Sequence, residues 1–295
     1  MATKAHPYKW LSRVADYWTL TKPEVNFLVV ASTLAGFYVG WRGAIDWMLL
    51  VHTLLGTLLV ASGTATLNQY VERKHDANMR RTAGRPLPAG RLVPWEALVF
   101  GILCSVAGGV YLWVAANALA SVLAMLTLLS YLLVYTPLKR KTPLCTLVGA
   151  FPGAMPPLIG WAAAHGRLSA EAWVLYAILF FWQFPHFLAI AWMYREDYAR
   201  AGLQMLPPSD LEGRFTSCEI LVFTVALLPV SVLPVFMGHA GLIYFCGAMA
   251  LGLFFLHSGA RLAISRSKLL ARRLLLASII YLPVVFGLMM VDRII

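Results

Sequence analysis

The chain has 295 residues, of which 60% are hydrophobic and only 13% are charged, and its formal net charge is +11. Soluble domains carry about 25% charged residues, so roughly half of the usual charge is missing. This composition excludes a soluble globular enzyme, a disordered chain and a nucleic-acid-binding domain. The apolar residues fall in runs that are long enough to cross a hydrocarbon core of ~30 Å as helices.

Nine apolar runs predict an all-α polytopic membrane protein with nine transmembrane helices. In chain order they cover residues 25–41, 47–67, 94–115, 117–136, 144–164, 170–192, 218–237, 240–258 and 274–291. Prolines interrupt the fifth run between Phe151 and Pro157, and because proline removes backbone donors we expect a broken helix there. We therefore predict one membrane domain, residues 25–295, around a central intramembrane cavity, after a cytoplasmic segment of residues 1–24.

The basic residues predict the orientation of these helices. All but three of the 24 lysines and arginines lie in segments on the same side as the N-terminus, and the exceptions are Arg42, Arg167 and Arg293. Cytoplasmic loops are enriched in lysine and arginine, so we expect a cytoplasmic N-terminus, a C-terminus outside and an active site on the cytoplasmic side. Residues 1–22 match neither a cleavable signal nor a convincing mitochondrial presequence, which favours a bacterial plasma (inner) membrane.

Acidic residues number only 13, so their clustering is informative. Asn68, Glu72 and Asp76 follow the second span at positions i, i+4 and i+8, which share one face if the helix continues. Amide and carboxylate oxygens are the ligands that Mg²⁺ prefers, commonly completed by substrate phosphates. His75 falls off this face, and we expect it to be solvated. The spacing therefore predicts a magnesium-binding helix end.

Arginines follow this cluster directly, at positions 80, 81, 85 and 91. Arginine pairs with phosphate through two parallel hydrogen bonds, so the segment is typical of a diphosphate site. The alternative interpretation is a solvated loop whose acids balance its bases. A third segment, with Lys139 and Arg140, is interpreted either as a phosphate contact or as an ordinary positive-inside loop.

A second acidic pair, Glu196 and Asp197, follows the sixth span and makes the solvated-loop interpretation weaker. Each cluster leads into an Ala-Gly pair and then a Leu-Pro pair, which suggests a duplication, although the match is short. Two carboxylate faces at one side of the membrane would hold Mg²⁺ ions that bridge one diphosphate.

The first motif of the intramembrane prenyltransferases, the UbiA superfamily, resembles the run Asn68-x3-Glu72-x3-Asp76-x2-Met79-x-Arg81-Thr82-x2-Arg85-Pro86-Leu87. Glu72 at the middle position is similar to the branch that transfers farnesyl to haem, the protohaem IX farnesyltransferases. Further stretches that resemble this branch, in the family's order, are residues 16–23, 135–142, 153–161, 182–187 and 197–207. The second motif departs from the superfamily's fuller aspartate pattern, so the number of bound Mg²⁺ ions, one or two, stays open.

The resemblance implies transfer of a farnesyl group from farnesyl diphosphate to the 2-vinyl group of haem b, with addition of water, to give haem O. It implies Mg²⁺ as cofactor, haem b as substrate, the lipid bilayer as surroundings, and a downstream haem A synthase as a candidate recipient. The implied catalytic residues are Asn68, Glu72, Asp76 and Asp197. The implied metal ligands are the same four with Glu196, and the implied diphosphate-binding residues are Lys22, Arg81, Arg85, Lys139 and Arg140.

His186 lies within a span and within the matched stretch 182–187. One interpretation is a hydrogen-bonded packing histidine, and the other is contact with the haem iron, for which histidine is a common ligand. Two alternative functions remain: a prenyltransferase for a quinone-precursor or chlorophyll-type acceptor, and a secondary transporter. A transporter would place its charged residues near the bilayer midplane, whereas these acids cluster at one membrane face.

Overall fold

The computed structural model describes residues 9–293, and their regular structure is helical. A single π-helical turn, η1, spans Tyr131–Tyr135 within this arrangement. The helices are α1 (Lys9–Leu20), α2 (Pro23–Gly40), α3 (Trp47–Asp76), α4 (Pro94–Ala115), α5 (Ala118–Ser130), α6 (Thr136–Leu138), α7 (Cys145–Gly153), α8 (Pro156–His165), α9 (Ala170–Met193), α10 (Arg195–Arg200), α11 (Arg214–Phe236), α12 (Leu242–Ser265) and α13 (Lys268–Val291).

Eight segments of the described chain are long and apolar enough to cross a membrane, counting α5–η1–α6 and α7–α8 as one segment each. They correspond to the second to ninth predicted spans, so the all-α polytopic fold is confirmed. The first predicted span coincides with α2, which has 18 residues. This helix is not among the eight, and it carries Glu24 in its first turn and buries the polar residues Asn26, Ser32 and Thr33. The count of nine spans therefore stays a prediction.

Helix α3 is longer than the span predicted at its position. It has 30 residues, which corresponds to about 45 Å of helix, whereas the hydrocarbon core is ~30 Å thick. Its first turn is capped by Asp46, whose side chain accepts the Leu49 N–H at 2.9 Å. The excess length carries the last turns of α3, with Asn68, Glu72 and Asp76, toward the membrane surface.

The predicted break in the fifth span is present, since α7 ends at Gly153 and α8 begins at Pro156. Helix α8 then packs against α2 with the two backbones almost in contact. A Cβ atom placed on Gly160 would lie 2.0 Å from the carbonyl oxygen of Thr33, and one on Gly36 would lie 2.0 Å from that of Pro157. These glycines therefore allow α2 and α8 to meet without side chains between them.

The segment before the first span contains the short helix α1. Its Tyr17 packs edge-on against Phe100 of α4, and its Asp16 pairs at 2.8 Å with Arg91, in the loop before α4. Part of the predicted N-terminal segment is thus an ordered helix, while residues 1–8 lie outside the described residues. The domain boundary at residue 24 stays a prediction.

Candidate active site

The C-terminal end of α3 presents one face of buried oxygen donors. Asn68, Glu72 and Asp76 are 1%, 9% and 1% exposed, and they fall on one face as their spacing requires. Such polar burial is unfavourable unless each group has a partner. Each of these three side chains therefore needs a partner within the protein or in a ligand.

Each donor on this face is held by a cation from a different part of the chain. The pairs are Lys22 Nζ with Asn68 Oδ1 at 3.2 Å, Lys139 Nζ with Glu72 Oε1 at 2.9 Å, and an Arg85 guanidinium nitrogen with Asp76 Oδ2 at 2.7 Å. Three cations and two carboxylates leave one excess positive charge beside the donors. The site therefore favours an anionic ligand.

Lys22 reaches Asn68 from the turn between α1 and α2. Its backbone is left-handed, with φ of 51°, a conformation that costs energy for a residue with a side chain. The flanking turns are held by Gln69, which donates to the Leu20 carbonyl at 2.8 Å, and by Asn26, which donates to the Thr21 carbonyl at 2.8 Å. Burial, followed by the positive charge of Arg85, lowers the pKa of Lys22 to about 7. An anion bound here would offset both causes.

Lys139 approaches Glu72 from beyond η1. Its ammonium lies 4.5 Å from the ring centroid of Tyr135 and 5.8 Å from that of Tyr131. These distances are within the range of cation–π attraction. A π-helical turn within an α-helix is uncommon and is often found at functional sites. Arg140, the next residue, is exposed, so its predicted phosphate contact stays a prediction.

The second acidic pair divides between the site and the surface. Asp197 is buried, accepts the Arg81 backbone N–H at 3.4 Å and pairs with Arg200. Glu196 is 70% exposed and pairs with Lys268 at 3.0 Å, and the hydrogen bond from Lys268 lowers the pKa of this carboxyl. The structure therefore brings Asp197 to the first cluster through Arg81 and leaves Glu196 apart from it.

Contacts between loops hold the two clusters together. The Arg81 guanidinium lies 4.8 Å from the Tyr194 ring centroid and donates to the Tyr198 hydroxyl at 3.2 Å. His75, which sequence analysis interprets as solvated, is instead half-buried and its Nδ1 lies 2.9 Å from the Ala201 carbonyl oxygen. That expectation was wrong because the partner carbonyl is distant in sequence. Tyr198 and Ala201 do belong to the matched stretch 197–207.

His186 lies in α9, on the side that faces α13. Its Nδ1 is 2.7 Å from the Ser278 hydroxyl, and its ring stacks on Trp182 with centroids 4.6 Å apart. Trp182 in turn donates to the Ser278 carbonyl at 2.8 Å. These contacts agree with the packing interpretation, and haem contact by His186 stays a prediction.

The donor set fits a Mg²⁺ ion that protein oxygens and substrate phosphates would bind together. Within residues 9–293, no group of three or more His, Cys, Asp or Glu side chains is close enough to hold a metal ion unaided. Asn68, Glu72 and Asp76 supply oxygen donors of the kind that Mg²⁺ takes, and Mg²⁺ usually completes its shell with water and substrate phosphate. The surrounding lysines and arginines are suited to those phosphates.

The oxygen donors and cations lie together at one end of a helical membrane bundle. Comparison with known proteins shows the class to which this bundle belongs, the integral membrane prenyltransferases. The model of the UbiA prenyltransferase family matches residues 29–282. The chain belongs to the UbiA prenyltransferase family.

Individual relatives cover nearly the full length. The chain is 52% identical over 287 residues to the protoheme IX farnesyltransferase of Solibacter usitatus, covering 94% of this chain and 98% of that protein. It shares its fold with digeranylgeranylglyceryl phosphate synthase at a TM-score of 0.78 and 17% identity, covering 95% and 98% of the two chains. A UbiA homolog from Archaeoglobus fulgidus, solved with DMAPP and Mg²⁺, superposes at a TM-score of 0.68 and 14% identity, covering 94% and 99%.

Proposed function

We propose that this prenyltransferase transfers a farnesyl group from farnesyl diphosphate to the 2-vinyl group of haem b, with addition of water, and so makes haem O. The observation that carries the proposal is the near full-length similarity to a protein named protoheme IX farnesyltransferase. The oxygen-donor face of α3 and its three cations support the same chemistry, because a diphosphate needs both.

Binding of the diphosphate is the first task of the site. We assign Asn68, Glu72, Asp76 and Asp197 to Mg²⁺, which when bound would neutralise charge on the diphosphate oxygens. Lys22, Lys139 and Arg85, now paired with these donors, would turn to the phosphate oxygens. Arg81 and Arg140 would contact the outer phosphate. Glu196 would join the metal site only by leaving Lys268.

Ionisation of the allylic C–O bond follows, with the bonding electron pair leaving on the diphosphate. Lysine and arginine side chains stabilise this developing negative charge, and the faces of Tyr131 and Tyr135 would stabilise the allylic cation. The vinyl group of haem b then attacks the farnesyl cation, and water captures the resulting cation with loss of a proton. No protein nucleophile is needed, but stray water must be kept out until the carbon–carbon bond has formed.

The remaining assignments rest on the resemblance and the topology. We propose a bacterial plasma membrane, with the N-terminus in the cytoplasm and the C-terminus outside, because most lysines and arginines lie on one side. We propose a central cavity that opens to the bilayer, since both substrates carry large apolar groups. His186 as a haem contact and a haem A synthase as recipient of the product complete the proposal.

The test is mass spectrometry of haem extracted after the purified protein has been incubated with haem b, farnesyl diphosphate and Mg²⁺. We expect a haem heavier by one farnesyl group plus water, absent when EDTA is added. Prenylation of a quinone precursor without any new haem would contradict haem b as the acceptor, whereas the proposed prenyl transfer would stand. No prenyl transfer to either acceptor by folded protein would contradict the proposal as a whole.

A further inference from the structure

Thr136 is a buried hydroxyl that the proposed reaction does not use, and it contacts the oxygen-donor face. It is 4% exposed and begins α6 directly after the π-helical turn η1. Its Oγ1 lies 3.2 Å from Asn68 Nδ2 and 2.9 Å from the Tyr131 carbonyl oxygen. The hydroxyl therefore connects the distorted helix to the first residue of the donor face.

The direction of these hydrogen bonds follows from the chemistry of the groups. A carbonyl oxygen only accepts, so the single hydroxyl proton of Thr136 is committed to Tyr131. The Thr136 oxygen is then left with lone pairs toward Asn68, and only the amide NH₂ group of Asn68 can donate to them. The Asn68 amide nitrogen must consequently face Thr136.

The other side of the amide gives the same orientation independently. In its charged form the Lys22 side chain only donates, so the Asn68 atom that Lys22 Nζ contacts at 3.2 Å is then the carbonyl oxygen. We propose that Thr136 is a positioning residue that holds the Asn68 amide with its NH₂ group toward the Thr136 oxygen and its own oxygen toward Lys22 and the proposed cation site. This inference rests on the proposed use of Mg²⁺ by this site.

The π-helical turn explains why the threonine can do this. In an ordinary helix a threonine hydroxyl bonds the carbonyl three or four residues earlier. Here the Tyr131 carbonyl accepts both the backbone N–H and the hydroxyl of Thr136, five residues later. A carbonyl has two lone pairs, so both bonds are satisfied. The extra residue of the π turn therefore aims the hydroxyl at α3.

The hydrogen bond between Thr136 and Asn68 matters most when substrate binds. Lys22 holds the Asn68 oxygen in the structure, but the proposed function moves Lys22 to the diphosphate. Glu72, one turn along α3, is a further acceptor near the Asn68 side chain, yet the proposed function commits it to the metal. Thr136 would then keep the amide from rotating and presenting its NH₂ group to the cation.

The test is the affinity of the full-length protein for Mn²⁺, a paramagnetic substitute for Mg²⁺, measured without substrate from the loss of the free-ion EPR signal. Thr136→Val keeps the shape and removes the hydroxyl, and the Tyr131 carbonyl retains its backbone partner. We expect Mn²⁺ affinity to fall about tenfold, the lower end of the range for groups that support a metal ligand, because Glu72 also contacts the amide. Thr136→Ser should bind within about twofold of wild type.

A double mutant separates orientation from packing. Asn68→Asp has two equivalent oxygens, so its rotation does not alter what it presents to the ion. Adding Thr136→Val to Asn68→Asp should therefore change Mn²⁺ affinity by less than about twofold. Equal losses in both backgrounds would instead mean a packing defect at η1 and would overturn the inference.

The outcomes distinguish this inference from the proposed function. An unchanged Mn²⁺ affinity in Thr136→Val, with tight binding by wild type, overturns the inference alone. Failure of the wild type to bind Mn²⁺ overturns both the inference and the metal assignment. If the Mn²⁺ results hold but haem b is not prenylated, the acceptor is wrong and the role of Thr136 stands.

Discussion

Asp76 is buried within the site and is held by a hydrogen-bonded charge pair. Its Oδ2 accepts from Arg85 at 2.7 Å, while its backbone carbonyl accepts the Thr82 hydroxyl at 2.9 Å. Buried ion pairs contribute little net stability, since desolvation offsets their attraction. The placement of this carboxylate is therefore better explained by a ligand that uses it than by folding.

Neutral isosteres at the carboxylate positions test that explanation. Asp76→Asn and Glu72→Gln keep the volume and remove the charge that we assign to Mg²⁺. Loss of a direct metal ligand should exceed the roughly 10- to 100-fold effect of changing a supporting residue. We expect farnesyl transfer to fall by more than about 100-fold at low Mg²⁺, measured as initial rates over a Mg²⁺ titration.

Glu212→Gln is the matched control for this loss of charge. Glu212 is exposed and pairs with Arg214 at the start of α11, and a surface pair of this kind contributes about 0–1 kcal/mol. Its transfer rate should equal that of wild type. Near-normal rates for Asp76→Asn or Glu72→Gln at low Mg²⁺ would remove that residue from the metal site.

At the level of helices, the close approach of α2 and α8 leaves no room for a side chain at Gly36 or Gly160. Both obstacles to a larger residue are backbone carbonyls, at Thr33 and Pro157, and backbone cannot rotate away as a side chain can. In a membrane, where small residues allow helices to associate by direct packing, separation of this pair would also disturb the broken α7–α8 segment.

Gly160→Ala tests this packing. The added methyl group must push α8 away from α2, and overpacking of this kind costs about 1–3 kcal/mol. We expect a lower midpoint of thermal unfolding in detergent, followed by the loss of the monodisperse peak in size-exclusion chromatography.

The control is Gly287→Ala in α13, where an added Cβ meets nothing within 4 Å. Alanine is the better helix former by about 1 kcal/mol, so this variant should be as stable as wild type or more stable. Equal midpoints for Gly160→Ala and wild type would mean that α2 and α8 can separate at no cost.

For the whole molecule, the contacts among the ends of the helices agree with one orientation. Arg293, just after α13, donates to the Tyr38 carbonyl at 2.8 Å and also bonds the Trp41 carbonyl. The ends of α2 and α13 therefore lie together, near two of the three arginines assigned to the outside, Arg42 and Arg293. On the opposite face, the segment after α10 contacts both the end of α3, where His75 bonds the Ala201 carbonyl, and the loop after α6, where the Lys139 carbonyl accepts the Gln204 N–H.

Labelling of single cysteines tests the orientation. After the four native cysteines (Cys104, Cys145, Cys218, Cys246) are replaced by serine or alanine, one cysteine is introduced at Arg167 and, separately, at Gly90. A maleimide that does not cross membranes should label Arg167→Cys in intact cells, and Gly90→Cys only after lysis, because positive loops stay in the cytoplasm. The reverse pattern would invert the topology and move the site to the outer face.

The sequence by itself determined the parts that depend on local order. Apolar runs of membrane-spanning length predicted the eight candidate spans from α3 onward, prolines predicted the break between α7 and α8, and the i, i+4, i+8 spacing placed Asn68, Glu72 and Asp76 on one face. The motifs also predicted the family. These features follow from helix geometry and from the solvent that surrounds each residue, which act over a few turns.

Tertiary structure decided which cation meets which donor. Lys22 and Lys139 are 46 and 67 residues away from the groups they contact, so spacing along the chain carries no information about these pairs. It also decided that Glu196 pairs with Lys268, that His75 is bound, and that the turn at Tyr131–Tyr135 is a π helix that aims Thr136 at Asn68. The physical reason is that such contacts depend on how separate helices pack, and packing selects among side chains that local sequence leaves equivalent.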